Sequence, residues 1–283
     1  MSDSPRADLH LHTTFSDGTS SPADLVRQAQ EAGLAAIAVT DHDCIGGIPE
    51  AVAAAGNALE VIPGVELTVA HREVELHVLG LCMDPAAAHL PERFARMRAA
   101  RELRIQQMIL RLEAHGVSVS WEEVLQVSGL GVPGRPHLAR VLVQRGYVAT
   151  PEEAFDRYLG DRSPCFVKGA TLTPATAVEF IRSAGGVSVL AHPARFVPDA
   201  WLPELVAAGI QGVEAYHPDH GAAVARRYRR YAREQGLLVT GGSDAHGTWK
   251  ANGAVVGSVT VPYSCVEELK DAARRVRALA VRP

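Results

Sequence analysis

The stretch Ala7-Asp8-Leu9-His10-Leu11-His12-Thr13 carries the first residues able to do chemistry. In an extended strand side chains alternate between faces, so His10 and His12 project one way and Leu9 and Leu11 the other. Two imidazoles about 7 Å apart along one strand face suit a joint grip on a metal ion. Asp17 follows in Phe15-Ser16-Asp17-Gly18, a loop able to curl an acidic oxygen back over the same place. Taken alone, this segment also reads as a polar strand face bearing two surface histidines.

The same residue types recur downstream, and the elements around them explain how they would meet. Asp8–Leu11 reads as a strand, followed by a helix with Ser21 as N-cap, Pro22 in its first turn and Gly33 at its end. Leu34–Thr40 is a nearly continuous apolar run, the pattern of a buried parallel strand, and it ends in Asp41-His42-Asp43. A helix over Gly46–Ala55 precedes strands Leu59–Val69, which holds Glu66, and Val74–Leu81, which sets Glu75 and His77 on one face. Near Asp84-Pro85 the strand patterns stop. Leu90–Ala114, Trp121–Val127 and His137–Arg145 are helical and arginine-rich, which predicts an inserted helical subdomain over 85–168 between barrel segments 1–84 and 169–283. Alternation returns with helix Pro174–Ala184 and strands Val187–Ala191, Gly212–Tyr216 and Leu237–Thr240. These strands run into His192, His217 and the phrase Gly241-Gly242-Ser243-Asp244-Ala245-His246. His10, His12, His42, Glu66, His77, His192, Asp244 and His246 thus fall at strand ends. In a parallel barrel those ends converge on one face, where active sites are built, so the pattern predicts one shared metal site.

Composition narrows the chemistry. Of 283 residues, 47% are apolar and the net charge is −4, so no global basic surface advertises double-stranded DNA as a partner, although a local patch can still hold a phosphate. No run of about 20 apolar residues and no signal-peptide layout are present, from which no membrane association and a cytoplasmic location are expected. Cys44, Cys82, Cys165 and Cys265 are scattered without a C-x-x-C pair, against the usual zinc-ribbon spacing and a disulfide framework. An imidazole and carboxylate site suits Mn²⁺, Fe²⁺ or Zn²⁺. Nothing in the chain implies an obligate protein partner.

With these residues in hand, the chain resembles the PHP (polymerase and histidinol phosphatase) family. The matching phrases are D-L-H-L-H-T, S-D-G, V-T-D-H-D, G-V-E-L, E-L-H-V-L-G, L-A-H-P and G-S-D-A-H, spread over residues 8–246. The resemblance implies an α/β fold, a distorted (β/α)7 barrel with a trinuclear metal site at the strand C-termini. It implies three ligand sets: His10, His12, Glu66 and Asp244; Glu66, His77 and His192, with Glu66 bridging; and Asp17, His42 and His246. Glu66, His10, His12 and Asp244 would then carry catalysis, with three divalent ions per chain, Mn²⁺ foremost and Zn²⁺ or Fe²⁺ as alternatives. The helical insertion, with Gly134-Arg135-Pro136-His137, Phe155…Tyr158-Leu159 and Val167-Lys168, is similar to that of bacterial phosphatases acting on nucleoside 3′,5′-bisphosphates, also described as 5′-to-3′ exoribonucleases on short RNA. Ala194-Arg195-Phe196 departs from the more usual Gly-Arg-Tyr but keeps the arginine.

Such an enzyme must neutralise a phosphoryl group and generate a nucleophile near neutral pH, and clustered divalent ions do both. Arg135 is the foremost candidate for a direct phosphate contact because a guanidinium fork matches phosphate geometry; His137, Lys168, Arg195 and His220 are further candidates. Arg96, Arg98, Arg101 and Arg104 read as a wet helix face that could meet the next phosphate of an RNA. Asp43 is expected to orient His42, and His217 is left outside the site. The rival readings are a histidinol-phosphate-type phosphatase, an amidohydrolase, and a non-catalytic metal- or nucleotide-binding module.

Overall fold

The computed structural model describes residues 4–169, 172–247, 249 and 254–280. The first half alternates strand and helix: β1 (Arg6–Leu11), α1 (Pro22–Glu31), β2 (Ala36–Val39), α2 (Ile48–Ala55), β3 (Glu60–His71) and β4 (Val74–Leu81). Four helices follow without a strand: α3 (Leu90–Ala114), α4 (Trp121–Ser128), α5 (Arg135–Gln144) and the short α6 (Pro151–Ala154), which runs into a π-helical turn at Phe155–Leu159. Then come α7 (Pro174–Ser183), β5 (Val187–Leu190), α8 (Leu202–Ala207), β6 (Gly212–Tyr216), α9 (Ala222–Gln235), β7 (Leu238–Gly241), β8 (Val261–Pro262) and α10 (Ser264–Ala280). Ser21 caps α1 by accepting from the Asp24 N–H, and Pro22 fills a position that needs no donor.

One sheet of eight strands runs in the order β7-β6-β5-β4-β3-β2-β1-β8. β1, β2 and β3 are mutually parallel, as are β5, β6 and β7. β4 is antiparallel to both β3 and β5. Only Arg72 and Glu73 join β3 to β4, with φ of 48° and 69°, and a two-residue connection can turn a chain back but cannot cross over to a parallel strand. His77 therefore does not sit at a strand C-terminus, as the sequence pattern suggested. It lies in the first half of a reversed strand, opposite Thr68, which brings it to the same end of the barrel as the other ligands.

The barrel closes where the chain after β7 meets β1. Asp244 N–H donates to the His10 carbonyl at 2.9 Å, and His12 N–H donates to that of Ala245 at 3.1 Å. Gly242 permits this approach, since a Cβ there would lie 2.4 Å from the His10 nitrogen. Leu9 and Leu11 point outward into the helix layer while Asp8, His10 and His12 point inward, all fully buried or nearly so.

The helical insertion has an apolar cluster of its own, built from Ile105, Met108 and Leu112 of α3, Val124 of α4, and Leu138, Val141 and Leu142 of α5. The first turns of α3 belong instead to the barrel, where Leu90, Phe94 and Met97 join the main cluster. α3 is thus the beam between the two units. No helix among the described residues is long and apolar enough to cross a membrane.

Candidate active site

The centre begins at β1. The Nε2 atoms of His10 and His12 stand 3.1 Å apart. Each also faces Glu66 Oε2, at 3.4 and 3.2 Å, and Asp244 Oδ1, at 3.4 and 3.2 Å. Four ligand atoms placed tetrahedrally about 2.0–2.1 Å from an ion are separated by roughly 3.3 Å, so these edges fit a bound cation. The other oxygen of Glu66 turns away: Oε1 lies 2.9 Å from both His77 Nδ1 and His192 Nε2. One carboxylate thereby faces two sets of imidazoles. A third group surrounds Asp17 Oδ1, with His246 Nε2 at 3.3 Å, His12 Nδ1 at 3.8 Å and His42 Nε2 at 4.0 Å. His42 is nearer to Glu66, its Nδ1 lying 3.1 Å from Oε2.

Hydrogen bonds behind the cluster decide which ring nitrogens are free to ligate. His10 Nδ1–H has Glu214 Oε1 as its acceptor at 3.0 Å, which leaves Nε2 as a lone pair facing inward. Ser16 Oγ donates to Asp41 Oδ1 at 2.6 Å, so it accepts from His12 Nδ1–H at 3.4 Å, again leaving Nε2 inward. His246 Nδ1–H donates to the Asp244 carbonyl at 2.7 Å and turns its Nε2 lone pair to Asp17. Lone pairs facing one another and carboxylates across about 3 Å repel unless a cation lies among them. Asp17 Oδ1, His42 Nδ1 and His192 Nδ1 are also buried without a hydrogen-bond partner. The donor set therefore fits divalent ions. Electrostatics point the same way: burial opposes a charge on His12, yet hydrogen bonds to Asp244 and Glu66, with the charges of Glu66 and Asp17, push it up to about 9. Burial likewise works against ionised Asp17 and Glu66, but the surrounding histidines hold both well below the usual carboxylate range.

Backbone conformation contributes as well. Asp43, His192 and Asp244 have φ of 48°, 27° and 50°, left-handed values that side chains rarely adopt and that cluster at functional sites. Glu214 helps hold one of them, its Oε2 accepting from His192 N–H at 2.7 Å. Sequence reasoning missed Glu214, although a lone carboxylate in the buried strand Gly212–Tyr216 is a signal in itself. His217 was also left out. Its Nδ1 accepts from Asp219 N–H at 3.1 Å, so Nε2 carries the proton and points it at Asp244 Oδ2, 3.4 Å away.

The ligand cluster opens onto a cavity of about 710 Å³ between the barrel end and the helical insertion. Asp17, His42 and His77 form part of its wall; Arg101, Arg104, Arg135 and Arg195 supply positive charge, and Phe155, Phe196 and Trp249 supply rings. Arg135 is half-buried, donating to Glu75 Oε1 at 2.6 Å and Asp161 Oδ1 at 2.7 Å beneath the rings of Phe155 and Phe166. Burial would raise Glu75, but Arg135 and Arg104 hold it down at about 2.

Several expected placements differ. Arg101 and Arg104 are not a wet helix face: Arg101 donates to Asp43 Oδ2 at 2.6 Å and Thr68 Oγ1 at 2.8 Å, and Arg104 to the Val167 carbonyl at 2.8 Å. Arg96 and Arg98 do stay on the outside, paired with Glu92 and Glu102. Asp43 binds Thr68 and Arg101 rather than orienting His42. His137 lies in the cavity wall, but both nitrogens serve backbone groups: Nδ1 accepts from Gly134 N–H at 3.1 Å and Nε2–H donates to the Ser16 carbonyl at 3.0 Å. That is a docking role for α5, which begins at Arg135. Lys168 is exposed and pairs with Glu73, outside the cavity wall. His220 is buried against Tyr228 and donates from Nδ1 to the Ala215 carbonyl at 3.2 Å. Of the five expected phosphate contacts, the structure brings only Arg135 and Arg195 to the cavity with cationic groups.

A closed barrel with imidazoles and carboxylates gathered at one end, beside a basic and aromatic cavity, defines a metal-dependent hydrolase. Comparison with known proteins gives the lineage. Residues 8–113 match the PHP domain model. A 5′-3′ exoribonuclease of Haemophilus influenzae is 35% identical over 84% of this chain and 89% of its own. A 3′,5′-nucleoside bisphosphate phosphatase of Chromobacterium violaceum is 32% identical over 91% of this chain and 93% of its own. The crystal structure of a Bifidobacterium adolescentis protein assigned to the metal-dependent phosphoesterases superposes with a TM-score of 0.85 at 34% identity, covering 94% of this chain and 96% of that one. The chain belongs to the PHP family and is a metal-dependent phosphoric ester hydrolase.

Proposed function

We propose that this enzyme hydrolyses phosphate esters of nucleotides, nucleoside 3′,5′-bisphosphates or 5′-phosphorylated short RNA, at a centre of three divalent ions with Mn²⁺ the preferred metal. The observation that carries this reading is that the ligand cluster forms the floor of a cavity walled by guanidinium groups and aromatic rings. Its volume of about 710 Å³ is in the range of small-ligand sites, roughly 300–1,000 Å³. His10, His12, Glu66 and Asp244 would hold one ion, Glu66, His77 and His192 a second, and Asp17, His42 and His246 a third. When bound, such ions neutralise phosphoryl oxygens and lower the pKa of water towards neutrality.

The remaining work falls to the chain's own groups. Glu214, Ser16 and His217 fix the proton positions on His10 and His12 and the orientation of Asp244. Arg195, whose guanidinium stacks 5.2 Å over Phe196, is the cation poised for a phosphate. Arg135 reaches one by exchanging Asp161 for it. Phe155 and Phe196 offer faces for a base or ribose, and α5 and the π-helical turn line the chamber opposite the ligand cluster.

The test is steady-state phosphate release with Mn²⁺ on adenosine 3′,5′-bisphosphate, AMP, a 5′-phosphorylated short RNA and histidinol phosphate. Preference for the bisphosphate, or mononucleotide release from the RNA, supports the reading. Activity on histidinol phosphate alone moves the substrate class. Silence on all four, with no more than one metal ion per chain by elemental analysis, favours a binding module. Arg135→Ala should raise KM for the phosphorylated substrate about tenfold, the loss of one charge-assisted contact; an unchanged KM removes Arg135 from the pocket.

A further inference from the structure

Helix α9 has a charge pattern that the site does not use. Its sequence, Ala-Ala-Val-Ala-Arg-Arg-Tyr-Arg-Arg-Tyr-Ala-Arg-Glu-Gln, holds five arginines and one glutamate in a chain whose net charge is −4. Ala225, Tyr228 and Ala232 are buried against the barrel, and all five arginines are exposed. Arg226, Arg229 and Arg233 follow the i, i+3, i+7 spacing that puts residues on one helix face. Their Cα atoms span about 10 Å along the axis.

Several exposed arginines on the other helices are answered by a carboxylate one turn away, as in Arg27 with Asp24 at 2.8 Å, Arg96 with Glu92 and Arg157 with Glu153 at 2.7 Å, while Arg93, Arg111 and Arg275 stand singly without one among the described residues. On α9 Arg227 meets Asp199 at 3.4 Å and Arg230 meets Glu234 at 3.8 Å. Among the described residues Arg226, Arg229 and Arg233 make no ion pair. Three guanidinium groups in a row without a carboxylate partner repel one another, and an outside anion would relieve that repulsion.

The stripe is also continuous with the active-site end of the barrel. α9 starts directly after the His217–His220 turn, and Arg229 lies 5.7 Å over the ring of Tyr216, the residue before His217. Asp199, the partner of Arg227, follows the cavity residues Arg195 and Phe196 by a few positions.

We infer that the Arg226–Arg229–Arg233 face of α9 is a binding site for the phosphate backbone of single-stranded RNA beyond the nucleotide being cleaved. This rests on the nucleotide reading of the active site and extends it to a substrate class: oligonucleotides are held by two sites, bisphosphates by one. The occupant is a single strand because only the end of one enters the cavity of about 710 Å³ at the ligand cluster; a duplex is an outcome of the test.

The test compares the wild-type chain with the triple variant Arg226→Ala, Arg229→Ala, Arg233→Ala, all exposed positions, with circular dichroism checking that the fold is retained. Binding of a 3′-fluorescein, 5′-phosphorylated 12-nucleotide RNA is followed by anisotropy from 50 to 300 mM KCl without added metal, and turnover of the same RNA and of adenosine 3′,5′-bisphosphate with Mn²⁺. The variant should bind the RNA about tenfold more weakly and lose about 2 from its salt slope, as expected for three phosphate contacts on a single strand. KM for the RNA should rise with it, while bisphosphate turnover stays within twofold. The control Arg96→Ala, which removes a paired arginine, should change none of these. Unchanged RNA affinity and salt slope in the triple variant overturn the proposal, as does equal binding of a 12-base-pair duplex. If neither substrate is turned over, the nucleotide reading fails, and the anisotropy still decides whether α9 binds RNA.

Discussion

Glu66 is the residue on which the centre turns, because each of its oxygens faces a different set of imidazoles at 2.9–3.4 Å. Glu66→Gln replaces one of those oxygens by an NH₂ that cannot ligate. Turnover should fall on the order of 10³-fold, about 4 kcal/mol of barrier, with melting of the fold still cooperative by circular dichroism; near-normal turnover would remove Glu66 from the reaction. Glu214 acts one step further out. It cannot reach an ion, but it holds the His10 proton on Nδ1 and the left-handed turn at His192. Glu214→Gln keeps the shape and removes the charge, and should weaken Mn²⁺ affinity by roughly 10–100-fold, measured by competition with a fluorescent chelator. An unaltered affinity would leave Glu214 with a packing role only. At this scale the sequence displayed the ligand types, but it could not display that Glu214 partners His10, which depends on strands distant in the chain meeting inside the barrel.

Among the elements, α5 shows how the insertion and the barrel are joined. His137 ties the helix start to the Ser16 carbonyl, and Arg140 and Trp249 both donate to the Asp17 carbonyl. The loop that carries Asp17 is therefore held by α5 of the insertion and by Trp249 of the chain after β7. Burial is the first cause that drives His137 down to about 4, against an ordinary value of 6.5. A group whose folded-state pKa is depressed binds fewer protons folded than unfolded. Its stabilising contribution is whole above pH 6.5 and is lost as pH falls towards 4, up to roughly 3 kcal/mol. Urea denaturation at pH 7.5, 5.5 and 4.5 should show a steeper loss in the wild type than in His137→Gln; parallel profiles would free His137 of this role. His137 in the phrase Gly134-Arg135-Pro136-His137 looked like a phosphate ligand because its type suits one. Only the fold showed that both nitrogens were already engaged. The element boundaries were more legible: β4, α3 and β6 fall where periodicity put them, since their apolar spacing is long and unbroken. The direction of β4 was not, because a strand's period is the same whichever way it runs.

For the whole molecule, the buried histidine and carboxylate cluster is a liability without cations, since Asp17, Glu66 and Asp244 lie within a few ångströms of one another's ligands and away from water. Binding to the folded state alone stabilises it by mass action, about 2.7 kcal/mol at a hundredfold excess over Kd. Dialysis against a chelator should abolish turnover and lower Tm by several degrees, and added Mn²⁺ should restore both; a Tm indifferent to chelation would mean that the cluster does not rely on ions. The sequence by itself determined which residue types can ligate, that most of them recur near the ends of apolar strands, with Glu66 and His77 inside β3 and β4 instead, and that a run of helices separates β4 from β5. Those are local properties of residue type and period, written in short phrases such as Asp8-Leu9-His10-Leu11-His12. The tertiary structure alone decided that Arg101 and Arg104 turn inward while Arg226, Arg229 and Arg233 of α9 make no ion pair among the described residues, and that Glu214 stands behind His10. Each of these depends on contacts that no local pattern encodes: the docking of α3 and the closure of β1 against the chain after β7, which joins residues more than 200 positions apart.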